Sequence, residues 1–252
     1  MPRFSANLGF LWTELDLPGA VRAAAKAGFN AVECHWPYDT DPMAIRAALD
    51  ETRLPMLGLN TRRGQVAAGE NGLAALPGRE GEARAAIDEA FEYAEAVDAN
   101  AVHVMAGIAE GVNAQATFLS NLQYASDHAG HRTVLIEPLN AFDAPGYFLN
   151  TTQQACSIIE EMAEPNLKLM FDCYHVARTE GDVIRRLEAC FDHIGHIQFA
   201  SVPDRRAPDQ GTLDYRKVFQ VIDGLGWARP LGAEYRPDEA TEASLTWMKT
   251  LQ

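Results

Sequence analysis

Short apolar runs alternate with longer amphipathic stretches along the whole chain. Runs at 4–8, 31–34, 56–59, 101–105, 133–136, 167–171, 194–198 and 231–233 are rich in Val, Ile, Leu, Met, Phe and Ala and read as strands. Helical periodicity follows at 17–27, closed by Gly28, and from 41 or 42 to about 52. A strong helix runs over 82–97, where Ala86, Ala90, Tyr93 and Val97 share a face. Further helices are expected at 114–129, at 152–162 behind an N-cap at Thr151 or Thr152, at 181–190, at 215–225 and at 239–251. The polar, glycine-rich stretch 60–81 reads as a long loop. Eight strand–helix units without a linker or composition break predict a single (β/α)8 TIM barrel spanning 1–252 as one domain.

Four of the later runs end in an oxygen-bearing side chain: Glu137, Asp172, Gln198 and Glu234. A polar group closing a buried strand is costly to desolvate unless something pairs with it. Any one of them is explained by capping the next helix or pairing with an arginine. Four in successive strands, each about one β/α unit from the next, point instead to one converging site. In such barrels the reactive groups collect at the C-terminal strand ends. Three carboxylates and an amide oxygen suit a hard divalent cation, with Mg²⁺ or Mn²⁺ expected.

Other polar residues lie close by. His175 lies three residues beyond Asp172, near enough to reach back over the pocket, and His103 alternates with apolar residues in its strand. A core position suits His103 as well as a substrate contact does. Arg205 and Arg206 lie in the loop after Gln198, Arg236 follows Glu234, and Arg79 lies in the long loop. Arginine forks grip carboxylates, so Arg205, Arg236 and Arg79 are expected around a small anion. Arg206 reads as a surface charge.

Composition narrows the partners. Hydrophobic residues make up 47% of the 252 positions and charged ones 22%, enough for a large core. A net charge of −14 argues against nucleic acid as a partner. No apolar run approaches membrane-spanning length and no signal peptide is evident, so a cytoplasmic protein that does not enter the membrane is expected. The cysteines Cys34, Cys156, Cys173 and Cys190 are spread without CxxC pairing and read as free thiols in a reducing compartment. A homo-oligomer is compatible with all of this.

A family comes into view in Ala27-Gly-Phe-Asn-Ala-Val-Glu33, Trp36-Pro-Tyr38, Leu76-Pro-Gly-Arg-Glu80, Val102-His-Val-Met-Ala-Gly107, Ile136-Glu-Pro-Leu-Asn140, Asp172-Cys-Tyr-His175, His196-Ile-Gln198, Pro203-Asp-Arg205 and Glu234-Tyr-Arg-Pro237. In this order they resemble the hydroxypyruvate isomerase family, which includes the 2-oxo-tetronate isomerases and belongs to the xylose isomerase-like TIM barrels. The resemblance covers essentially the whole chain. It implies that Glu137, Asp172, Gln198 and Glu234 are metal ligands and that the two glutamates form the acid/base pair. It likewise implies substrate contact at His175 and Arg205. Departures from the pattern are Cys34-His35-Trp36 in place of a more apolar aromatic stretch, Arg236 where lysine is common, and Gly211-Thr212 interrupting a Gly-Glu pair.

The resulting expectation is a metal-dependent aldose–ketose type isomerase acting on a small anionic 2-oxo acid, hydroxypyruvate or a 2-oxo-tetronate. One glutamate would take a carbon-bound proton and the other return one to the neighbouring carbon. The alternatives are a ketose or keto-acid 3-epimerase with the same site and a non-catalytic sugar-acid binding protein. Two intact catalytic glutamates weigh against the binder.

Overall fold

A computed structural model of the chain describes residues 2–251. Eight parallel strands run in the order β2-β1-β8-β7-β6-β5-β4-β3. They are β1 (Phe4–Asn7), β2 (Ala31–Glu33), β3 (Leu59–Asn60), β4 (Ala101–His103), β5 (Thr133–Ile136), β6 (Leu167–Asp172), β7 (Ile194–Phe199) and β8 (Leu231–Ala233). The seam between β2 and β3 is closed by backbone bonds from Val32 N to Pro55 O, Leu57 N to Val32 O and Asn60 N to His35 O. The sheet is therefore a nearly closed TIM barrel, as the eight-unit count requires.

The expected third strand at 56–59 is displaced. Met56 forms an isolated bridge to Val32, while Leu59 and Asn60 pair with Val102 and His103. The shift leaves the edge short but carries the chain into the site at Asn60.

The helices are α1 (Leu17–Ala27), α2 (Pro42–Thr52), α3 (Glu80–Val97), α4 (Gly111–His128), α5 (Thr152–Met162), α6 (Cys173–Thr179), α7 (Val183–Cys190), α8 (Tyr215–Gly224) and α9 (Trp247–Thr250). Local chemistry sets their ends. Asp16 accepts from Gly19 N to start α1, and Gly28, at φ 92°, closes it in the left-handed region that glycine tolerates. Thr151 caps α5 by accepting from Gln154 N.

Two helical expectations need correction. The stretch after β6 holds two helices, because the Asp172 carboxyl accepts from Tyr174 N and starts α6 at once, and Asp182 then caps α7. The C-terminal stretch 239–251 is a 3₁₀ turn at Thr241–Ser244 followed by the short α9. Trp247, which opens α9, is fully buried. Its ring packs edge-on against Phe4 and Phe199, and its Nε1–H donates to Tyr235 Oη.

Large aromatic and aliphatic residues fill the layer between barrel and helices. The barrel interior is different: Ala101, Leu135 and Met170 form a small apolar plug, and above it the buried side chains are polar. Among the described residues no helix is long and apolar enough to cross a membrane.

Candidate active site

Strand register assembles the site. Asp172 at the end of β6 lies level with Gln198 in β7, and Gln198 lies level with Gly232 in β8. Glu234 follows β8 with its N–H donating to Phe199 O, and Glu137 follows β5. All four side chains are buried, so the strand-end pattern does converge on one place.

Burial and like charge act together on the acids. Desolvation, reinforced by Glu234 and Asp172, pushes the Glu137 carboxyl well above the usual carboxylate range. Burial raises Asp172 to about 7, against the pull of Arg205. Burial would raise Glu234 too, but Arg205 and His35 outweigh it and hold this carboxyl far below the ordinary value. The pattern is a crowd of carboxyls short of positive charge.

Arg205 is the cation within that crowd. Its Nη2 donates to Glu234 Oε2 at 2.6 Å and to Asp172 Oδ2 at 3.3 Å. Its guanidinium carbon lies 5.0 Å from the ring centroids of both Phe10 and Tyr174. The residue adopts φ 54°, and its loop is tied back by Arg205 N to Ser201 O and by Arg236 N to Arg205 O.

His175 is oriented by its neighbours. Its Nδ1 accepts the Asn140 backbone N–H at 3.0 Å, so the ring proton of the neutral imidazole belongs on Nε2. Burial, with Arg205 beside it, lowers its pKa to about 3, which keeps the ring neutral. Nε2 stands 3.9 Å from Glu137 Oε1 and 3.7 Å from Asp172 Oδ2. Glu137, Asp172 and His175 thus form a group close enough to hold an ion. An Nε2 that carries a proton cannot ligate, however, so in this tautomer His175 presents a donor, not a ligand. His103 is buried with both ring nitrogens unpartnered among the described residues, and its Nδ1 is 3.6 Å from Glu137 Oε2. Burial drives its pKa to about 3.

A layer that sequence reasoning missed lies beneath the four residues. Glu33, at the end of β2, accepts from Gln198 Nε2 at 2.8 Å and Asn7 Nδ2 at 3.2 Å on Oε1, and its Oε2 bonds His196 Nε2 at 2.7 Å. Asn7 also donates to Glu234 Oε1, which is 2.6 Å from His35 Nε2. The signal was present: Asn7 and Glu33 are polar strand ends like the four above, in the half of the chain where no series drew attention to them. Gly232 belongs to this layer, since a Cβ there would lie 2.6 Å from Glu33 Oε1 and 2.8 Å from Gln198 Cγ.

Replacing Glu33 by Ala is expected to lower the unfolding free energy by at least about 2 kcal/mol in urea titration, because three buried donors lose their acceptor. A variant as stable as the parent would show that water satisfies those groups instead.

The remaining arginines separate. Arg236 lines the cleft with Glu137, Glu234, His175 and Arg205. Arg79 is not brought there: it precedes α3 and bonds Glu70 and Glu82, which pins the long loop to the helix. Arg206 reaches Asp238 near the surface, 2.8 Å away.

The donor set fits a divalent cation. With its Nε2 committed to Glu33, the Gln198 amide leaves Oε1 buried and, among the described residues, unpartnered, as is Glu137 Oε1. Arg205 already shows that positive charge is stabilising between Asp172 and Glu234.

Comparison with known proteins agrees with this fold. The family model for xylose isomerase-like TIM barrels matches residues 21–251. A 2-oxo-tetronate isomerase from Cupriavidus necator is 45% identical, covering 99% of this chain and 98% of that protein. A hydroxypyruvate isomerase from Escherichia coli is 37% identical over 98% of each chain. A crystal structure described as an AP endonuclease, family 2, from Brucella melitensis superposes with a TM-score of 0.95 at 39% identity, covering 99% of both chains. D-psicose 3-epimerase from Clostridium cellulolyticum shares the fold alone, at a TM-score of 0.82 and 13% identity. The chain belongs to the xylose isomerase-like TIM barrel family and, within it, to the isomerases of the hydroxypyruvate isomerase type.

Proposed function

We propose that this isomerase interconverts the aldose-like and ketose-like forms of a short 2-oxo acid, hydroxypyruvate or a 2-oxo-tetronate. The observation that carries the reading is the pair of buried glutamates, Glu137 and Glu234, set on different strand ends around one cleft with Asp172 and Gln198 between them. The names of the two full-length relatives supply the substrate class.

Glu137, Asp172, Gln198 through Oε1, and Glu234 would hold the cation, Mg²⁺ or Mn²⁺. When bound it would supply Lewis-acid stabilisation of charge developing on the substrate oxygens. The residues do the rest. One glutamate takes the proton from the hydroxyl-bearing carbon, and the other delivers a proton to the adjacent carbon. His175 donates from Nε2 to a substrate oxygen, held in that tautomer by Asn140. Arg205 has a buried Nε–H without a partner among the described residues, a donor free for the substrate. His103 offers a second neutral imidazole at the floor of the cleft.

Incubating the protein with three- and four-carbon 2-oxo acids and Mg²⁺ or Mn²⁺ in deuterated water tests this by NMR. Isomerised product with deuterium at the receiving carbon is expected. Inverted configuration without carbonyl migration would favour a 3-epimerase, and binding with no exchange would make the chain a sugar-acid binding protein. An endonuclease role is disfavoured by the net charge of −14.

A further inference from the structure

We propose that Arg63, with the Asn71 amide beside it in the same loop, is the anchor for the substrate's carboxylate. The proposal rests on the isomerase reading in one respect, that the substrate is an acid.

Charge matching narrows the choice to Arg63 and Arg236, and of these Arg236 is exposed whereas Arg63 is half-buried. Arg205 spends its charge on Asp172 and Glu234, Arg62 on Glu89, and Arg79 on Glu70 and Glu82. Arg63 lines the cleft that holds Glu137, Glu234 and His175, yet no carboxyl group pairs with it among the described residues. Burial without a compensating acid lowers its pKa, the mark of a guanidinium lacking an anion. The carboxylate grip expected of Arg205 thereby passes to Arg63.

The guanidinium is also oriented. It lies over the Trp36 ring, 3.7 Å from the centroid, and Trp36 is fixed by its Nε1–H donating to Thr61 O at 3.1 Å. Stacking a guanidinium on an aromatic face leaves its in-plane N–H edge for a carboxylate fork.

The loop that carries Arg63 and Asn71 is held from below. Gly72 N donates to Arg63 O at 2.9 Å, and Ala74 N and Ala75 N donate to Met105 O and Ala106 O. Gly72 adopts φ 120° and sits so close to the chain after β4 that a Cβ would lie 2.6 Å from both Gly107 N and Met105 O. Asn121 Nδ2 holds Ala74 O at 2.8 Å. Arg63 is thus a preorganised cation on a docked loop, and little ordering remains for a ligand to impose. Arg236 lines the same cleft beside Phe10 and adds positive potential.

The test compares acid with neutral ligands of equal carbon number in the Mg²⁺-loaded protein and its Arg63→Gln and Arg63→Lys variants. Calorimetry measures glycerate against glycerol, and steady-state kinetics measures hydroxypyruvate against dihydroxyacetone. Arg63→Gln is expected to weaken glycerate binding and raise KM for hydroxypyruvate by about ten- to a hundredfold, with kcat and any response to the neutral ligands unchanged. Arg63→Lys should recover part of the loss. Glycerate binding that depends on Arg63, without turnover of any 2-oxo acid, would support the anchor while sinking the isomerase reading. Glycerate affinity equal in parent and Arg63→Gln, or absent from the parent, overturns the anchor.

Discussion

Changing Glu137 or Glu234 to Gln is expected to leave a folded barrel and to lower kcat by on the order of 10²-fold or more, the scale of losing a general acid or base. Gln keeps the shape of Glu, so the surrounding packing stays in place and the loss falls on proton transfer. The two variants should differ in stability. Glu234 takes bonds from Arg205, Asn7 and His35, so removing its charge leaves a buried guanidinium facing one anion fewer. Glu137 has an Oε1 unpartnered among the described residues and lies among acids, so its neutral replacement relieves repulsion in the metal-free protein. Thermal unfolding in chelator should therefore rank Glu137→Gln at or above the parent and Glu234→Gln below it. Near-parental turnover in either variant would remove that residue from the chemistry.

What the sequence made legible followed period and repetition. Eight apolar runs spaced by amphipathic helices dictated the barrel, because period-2 and period-3.6 burial have few other joint solutions. Glu137, Asp172, Gln198 and Glu234 stood out because each closed such a run. Residues recruited across the barrel were hidden. Glu33 and His196 are 163 positions apart yet bond directly, and only closure of the cylinder brings them together. Arg63 and Arg79 illustrate the limit for side chains on loops: both lie in one polar stretch, and position alone favoured Arg79. The deciding fact is which acids lie nearby, since Glu70 and Glu82 neutralise Arg79 while among the described residues no acid pairs with Arg63, which stacks on Trp36. The 181–190 helix is legible from its periodicity, whereas α6 is not, because it spans only seven residues directly after the strand that Asp172 closes.

Stripping the protein of divalent cations should abolish turnover, and the stability lost with the metal should grow as the pH rises. The sign follows from the acids. In the metal-free protein burial pushes the Asp172 carboxyl up to about 7, and Glu137 is likewise raised above the 4.5 of a free carboxyl. An acid with a raised folded pKa binds more protons folded than unfolded. Its contribution is present below the unfolded value near 4 and fades as the pH climbs through 7. Glu234 behaves oppositely, its contribution fading only as the pH falls below the ordinary carboxyl range, so it does not mask the trend between pH 5 and 7.5. A cation requires deprotonated ligands, so it binds more tightly over the same interval and stabilises the fold by mass action. The gap in Tm between Mn²⁺-loaded and chelated protein is therefore expected to be clearly wider at pH 7.5 than at pH 5. Full activity after exhaustive chelation, or a gap that ignores pH, would mean that the four strand-end oxygens are not a metal site and that Arg205 alone supplies their positive charge.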